Sequence, residues 1–450
     1  MSLDRRTLLG IGIASPLAGT PALAQPMPLG NFGLDAAHFG VRPNTSEDQT
    51  LALQRALETA SSTRVPLYLA PGVYQVADVI LPAGAQLYGV RGASCLSLTY
   101  GASIVAASGA DGITLSGLVF DGAMRPLPER RGLVTIRQAR GLRIVDCMVH
   151  ASGGSGIWLE AVDGEVSRTS VIEATKAAIF SLDARGLAIV GNTVKNAGNN
   201  GIQVWRSSPG DDGTLVSGNR IDNISARDGG SGQNGNGINV FRAGNVTVSD
   251  NRISNCAFSA VRGNAASNLH IRGNSTSKLG EVALYAEFGF EGAIIANNTV
   301  DGAALGVSIT NFNEGGRLAV CQGNLVRNLF TRGDRKIDSE ARGVGIAVEA
   351  DTAVTGNVVE GAPVAGIWLG WKQYLRDVSV TGNVVRASPI GIAVSVSPGA
   401  GSALVADNLI AGASAGAIVG MDGLKPVTGD LSVENNPRYA QLTISGNRVR

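Results

Sequence analysis

The sequence predicts an all-β solenoid, a right-handed parallel β-helix with three short strands per coil and a helix capping its N-terminal end. Three observations predict it: an asparagine-centred motif recurs about every 25 residues, apolar residues flank it at fixed offsets, and a Gly-Ile-x-Val pattern returns once per period.

Residues 1–24 are expected to form a twin-arginine export signal. Arg5 and Arg6 precede Leu8 and Leu9, an apolar stretch runs from Gly10 to Leu23, and Ala22-Leu23-Ala24 supplies a small-x-small cleavage site before Gln25. Gly10, Gly12, Pro16, Gly19 and Pro21 interrupt the stretch, which is shorter than the ~20 residues of a spanning helix. The expectation is a periplasmic or secreted protein, carried folded by the twin-arginine machinery, cut after Ala24 and without stable membrane insertion.

Residues 25–100 read as the cap and first coils. Ser46-Glu47-Asp48-Gln49 has the spacing of a capping box, and Leu53, Ala56, Leu57 and Ala60 share one helical face up to Ser61. Val65 to Val76 then reads as strand, turn and strand, followed by Leu81 to Gly89. The apolar end of a solenoid must be covered, and this helix suits that task.

Residues 101–450 carry the repeat. Its segments read IVGNTV, VSGNRI, VSDNRI, IRGNST, IANNTV, CQGNLV, VTGNVV, VTGNVV, VADNLI and ISGNRV, centred on Asn192, Asn219, Asn251, Asn274, Asn298, Asn324, Asn357, Asn383, Asn408 and Asn447. Weaker coils precede them around Leu118, Cys147 and Thr169. An apolar residue stands three before nearly every asparagine and another two after it, as inward positions of two short strands require. Gly-Asn or Asp-Asn between them can turn the chain sharply through a left-handed backbone, and stacked asparagines can bond as a ladder. A third strand is marked by Gly201-Ile-Gln-Val, Gly237-Ile-Asn-Val, Gly345-Ile-Ala-Val, Gly366-Ile-Trp-Leu and Gly391-Ile-Ala-Val. Leucine-rich repeats share the period but not this valine, isoleucine and glycine pattern.

The cap carries a resemblance. Phe39-Gly40, Asp48-Gln49-Thr50 with Leu53-Gln54 and Ala56-Leu57, and Leu69-Ala70-Pro71-Gly72-Val73-Tyr74 resemble the opening segment of the pectate-lyase-like superfamily of right-handed β-helices. The export signal with Gly-Asn repeats resembles a family of twin-arginine-translocated repeat proteins of unassigned activity. The resemblance spans nearly the whole chain and implies the fold. The activities it implies are polysaccharide lyases, hydrolases and epimerases, together with adhesins and maturation factors, and fold likeness does not choose among them.

Composition excludes several classes. Without the leader's Arg5, Arg6 and Asp4, the totals of 37 basic and 36 acidic residues become 35 and 35, so nucleic acid is not an expected partner. Cys95, Cys147, Cys256 and Cys321 lie far apart with no CxxC, which indicates neither a zinc ribbon nor a disulfide framework. Cys147 and Cys321 read as packing residues. The three histidines, His38, His150 and His270, have no paired spacing, so no metal centre or cofactor is expected. Calcium stays open at two insertions, Ser225 to Gly237 and Thr331 to Gly343, which hold Arg227, Asp228, Asp334, Arg335, Lys336, Asp338 and Glu340. A monomer is expected.

Chemistry should sit on outward side chains of the third strand, because one column repeats about every 4.8 Å along the axis and forms a groove matched to a polymer. One outward column contains Asn239, Arg262, Tyr285 and Ser308; the other contains Trp205, Phe241, Glu287 and Glu349. Arg262, Tyr285 and Glu287 are the candidate catalytic group: a guanidinium to neutralise a substrate carboxylate, and a phenol and a carboxylate to move a proton. Trp205, Asn239, Phe241, Ser308, Glu349 and Trp371 are the candidate substrate-binding residues, with Trp205, Phe241 and Trp371 offering flat faces to sugar rings. Such a strip suits a lyase or epimerase of an acidic polysaccharide, with a polysaccharide or oligosaccharide as partner. The alternative is a non-catalytic scaffold or ligand-binding β-helix of the periplasm or cell surface. On the first reading, Arg262→Ala is expected to weaken turnover or binding and leave the fold intact.

Overall fold

In every coil from Asn192 onward the residue before the asparagine takes the left-handed backbone: Gly191 at φ +67°, Asp250 at +58°, Asn297 at +57° and Asp407 at +56°. Glycine, asparagine and aspartate are the residues that reach this region at least cost. The asparagine itself is thereby free to turn its side chain into the coil. The computed structural model describes residues 33–230, 232–332, 343–433 and 437–450, so the expected export signal lies outside the described residues.

Among the described residues three sheets result, of 16, 15 and 15 strands. Sheet 1 holds the strands before the asparagine turn, such as Leu215–Ser217 and Thr247–Ser249, and sheet 2 those after it, such as Arg220–Ile224 and Arg252–Cys256. Sheet 3 holds the Gly-Ile strands, including Asn200–Asp211, Asn236–Gly244, Val261–Asn264, Val282–Glu287, Leu305–Ile309, Val344–Val348 and Ala365–Leu369. In sheet 1 these neighbours pair in parallel and in register: Val216, Val248, Ile271, Ile295 and Cys321 stand in one row. That row and its counterpart after the turn are fully buried, and each such aliphatic side chain contributes about 1.5–3 kcal/mol of burial free energy.

The ladder forms as the repeat requires. Each asparagine from Asn192 to Asn408 donates its Nδ2 to the Oδ1 of the next at 2.9–3.0 Å, ending on Asn447. The same Oδ1 accepts the backbone N–H of the preceding asparagine, as Asn298 does from Asn274 at 2.9 Å. Thr169 extends the row toward the N-terminus by donating its N–H to Asn192 Oδ1.

Helix α1, Thr50–Thr63, buries Leu53, Ala56, Leu57 and Ala60 on the expected face. Its start differs from a capping box. Asp48 Oδ1 accepts the Thr50 N–H at 2.7 Å, whereas Gln49 is buried and turns its amide to Arg42, Thr45 and Glu47. Strands Leu67–Tyr68, Gly72–Val76 and Gln86–Tyr88 follow. At the other end Lys425–Asp430 runs antiparallel to Gly416–Asp422 and finishes sheet 3. All four cysteines are free, and Cys147, Cys256 and Cys321 are buried.

Candidate functional site

The register of sheet 3 brings the three candidate catalytic residues together. Arg262 stands opposite Tyr285 and Asn264 opposite Glu287. The Arg262 guanidinium lies 4.8 Å from the Tyr285 ring centroid and donates from Nε and Nη2 to the two Glu287 oxygens at 2.6 and 2.8 Å. Asn264 donates to the same carboxylate at 2.9 Å, and Glu281 lies 3.8 Å from the guanidinium.

The open strip that the sequence suggests is not what forms. Arg262, Tyr285 and Glu287 are 5%, 3% and 1% exposed, and Asn239 and Ser308 are buried as well. Tyr285 is covered by a second apolar cluster, separate from the solenoid core, in which it and Trp368 pack with Val282, Leu305, Val344, Ala365 and Ile390, while Arg262 and Glu287 are closed onto each other and Asn239 donates to Gly232 O of the first insertion. The outward face of sheet 3 thus carries a core of its own.

Trp205 and Phe241 belong to a row of rings along the same face. Trp158 stacks on Phe180 at 4.0 Å between centroids, and Phe180–Trp205 and Trp205–Phe241 follow at 5.5 Å each. Trp205 Nε1 donates to Asn239 Oδ1 at 2.7 Å, and Arg242 covers the Phe241 ring at 4.7 Å. These rings are largely spent on one another and on Arg242, so they support the sheet more than they offer platforms.

Further along, four of the candidates do meet at a cavity of about 320 Å³. Tyr285, Ser308, Glu349 and Trp371 line it, joined by Thr310, Asn311, Asn313, Trp368 and Tyr374. Trp205, Asn239, Phe241, Arg262 and Glu287 do not. Pairing of Ala286 with Ile309 and of Ile309 with Val348 puts Glu287, Thr310 and Glu349 in one outward column. Trp368 was readable as an outward ring, with its Nε1 now bound to Gly370 O at 2.9 Å. Tyr374 had no sequence signal: it arrives through a tight turn in which Trp371 and Tyr374 exchange backbone hydrogen bonds.

Glu349 brings a carboxyl to the cavity wall. Burial pushes its pKa up to about 7, against the opposing effect of the Phe312 and Asn311 N–H groups, the first of which donates to Oε2 at 2.7 Å. A carboxyl that titrates there can give a proton at neutral pH. Phe312 starts a short 3₁₀ turn, Phe312–Glu314, after Asn311 at φ +70°. Its ring meets Tyr374 edge-on at 6.4 Å and lies under Arg376 at 4.4 Å.

Among the described residues no three His, Cys, Asp or Glu side chains cluster as a metal site. Asp228, the acidic residue of the first insertion, accepts bonds from Lys176 and Asn199, which ties the insertion down. Asp334, Arg335, Lys336, Asp338 and Glu340 lie outside the described residues. His270 stands on the outer face of sheet 1, in a shallow groove that does not include Glu349.

The family model of the right-handed β-helix region matches residues 100–221 and 208–385. The chain belongs to the right-handed β-helix family. The whole cavity, from Tyr285 to Tyr374, lies inside the second matched stretch. Among solved structures, the chain is similar to the catalytic unit of the GH87 α-1,3-glucanase of Streptomyces thermodiastaticus, at 13% identity and TM-score 0.54, covering 95% of this chain and 70% of that one. It is also similar to pre-mature gene product 12 of bacteriophage phi29, at 14% identity and TM-score 0.55, covering 90% of this chain and 59% of the phage chain. At these identities the likeness is one of fold. No curated protein matches the sequence.

Proposed function

We propose that this β-helix protein acts on a polysaccharide at the sheet 3 cavity, with Glu349 as the general acid. One observation carries the reading: a carboxyl whose pKa burial raises to about 7 lies in a cavity with Trp368, Trp371, Tyr285 and Tyr374. Indole and phenol rings suit the apolar faces of a sugar, Ser308, Thr310, Asn311 and Asn313 suit its hydroxyls, and a neutral carboxyl suits protonation of a glycosidic oxygen. That one of the similar folds is the catalytic unit of an α-1,3-glucanase supports a glycan as substrate class. Export by the twin-arginine route remains part of the proposal, since polysaccharides of this kind are met outside the cytoplasm.

Lyase or epimerase action on an acidic polymer is the second reading. The Tyr285 ring favours it, because it lines the cavity while Arg262 lies over it, which is a setting for proton abstraction. Arg262 itself already neutralises Glu287, which weakens its fitness to neutralise a substrate carboxylate. Incubation of the protein with neutral and acidic polysaccharides distinguishes the readings. New reducing ends support glycoside cleavage and unsaturated products or altered epimer ratios support the second. Failure of every polymer to bind or change sinks both and leaves the scaffold reading.

A further inference from the structure

The groups seen to hold the Glu349 carboxyl are backbone N–H groups. Phe312 N donates to its Oε2 at 2.7 Å and the Asn311 N–H also bonds to it. Both belong to the turn Asn311–Gly316, which leaves sheet 3 after Ile309 and closes on itself through Glu314 and Gly316 N–H bonds to Asn311 O. A surface turn is still among the more mobile parts of a fold, so a side chain that pins it from outside keeps its backbone donors better aimed.

Arg376 does the pinning. Its guanidinium is fixed in plane by two bonds to Asp351, Nε to Oδ1 at 2.8 Å and Nη2 to Oδ2 at 2.6 Å. A planar cation held in this way can lie flat over a ring, and it lies 4.4 Å from the Phe312 centroid. The Arg376 backbone N–H bonds to the Glu349 carbonyl at 3.0 Å, so the anchor and the carboxyl sit on adjoining coils. The far edge of the Phe312 ring reaches Tyr374 in the cavity wall.

We propose that Arg376 is a positioning residue: clamped by Asp351 and stacked on Phe312, it holds the Asn311 and Phe312 N–H groups on the Glu349 carboxyl. This rests on Glu349 being the working acid. The charged groups around Glu349 are Arg376, Asp351 and Arg317, the last 3.8 Å from Asp351 and also paired with Glu291. Glu314 sits in the turn, Tyr285 and Tyr374 line the cavity, and Glu287 stands two strands away, paired with Arg262.

The test follows the Glu349 carboxyl by carbon-13 NMR in protein labelled at glutamate, the signal being assigned by its loss in Glu349→Gln. Arg376→Leu removes the clamp, Phe312→Ala removes the ring but keeps the Arg376–Asp351 pair, and Phe312→Tyr keeps both. The expected result is a titration midpoint raised by about 1 pH unit in the first two as N–H donors withdraw, with Phe312→Tyr matching the native protein. Unmoved midpoints in both Arg376→Leu and Phe312→Ala overturn the proposal. The readout is titration and not turnover. Raised midpoints in a protein inert to every glycan would therefore defeat the catalytic reading alone, and active protein with unmoved midpoints would defeat this one alone.

Discussion

Arg262 and Glu287 face each other through two parallel N–H···O bonds of 2.6 and 2.8 Å while both are at most 5% exposed. Breaking a buried pair by removing one partner typically costs about 3–5 kcal/mol, because the surviving charge loses a close bidentate partner in a poorly solvated site. Arg262→Ala should therefore lower stability by that order in urea or thermal unfolding. The sequence alone suggested an intact fold for this variant. An unchanged unfolding midpoint would show the pair to be dispensable.

Asn274→Ala should cost about 2–4 kcal/mol, since it strands the buried Asn251 N–H and the Val248 carbonyl, both now bonded to the Asn274 side chain at 3.0 Å. Glycan preference should not change, because the ladder does not line the cavity. Denaturant titration beside a polysaccharide binding panel checks both halves.

Glu349→Gln should abolish turnover while leaving glycan binding within a few-fold of native, as amide and neutral carboxyl are close in shape. For the native protein, activity should fall as pH rises through about 7, where the acid is lost. Stability should decline over the range just below this. The folded carboxyl titrates above its ordinary 4.5, so the native state binds the extra proton between about 4.5 and 7. The stabilisation is complete below that window and lost as pH rises through it. Unfolding curves of Glu349→Gln at several pH values should lack this decline.

The thiols give a fourth test. Burial pushes Cys147 up to about 11 and Cys321 up to about 12, so neither forms a thiolate at neutral pH. A thiol reagent should label them only after denaturation. Rapid labelling of native protein would contradict the buried positions.

The sequence carried the coil because the repeat is local and physical. A left-handed residue, an asparagine and two flanking aliphatics fix the corner, and the same spacing fixes the register that sets Arg262 beside Tyr285. Exposure was not legible. Whether an outward side chain meets solvent depends on side chains of neighbouring coils, and Tyr285 and Trp368 are covered by a cluster gathered from strands spread between Val282 and Met421. Glu349 was legible as a column position but not as an acid, because its titration depends on burial and on a turn folded over it. Tyr374 was missed because a four-residue turn, and no period, delivers it.

The asparagine row has the same step in every coil although the chain between successive asparagines varies from 23 to 39 residues. The surplus of the two longest described detours leaves the path next to sheet 3, as the Ser225–Gly237 insertion before Asn236–Gly244 and as the hairpin ending in Lys425–Asp430 after Gly416–Asp422. The molecule thus behaves as a ruled spine with a free margin. Sequence can be inserted or rewritten at that margin without moving a single graduation of the ruler, so the edge of sheet 3 can diversify among descendants of one chain while the spine stays unaltered.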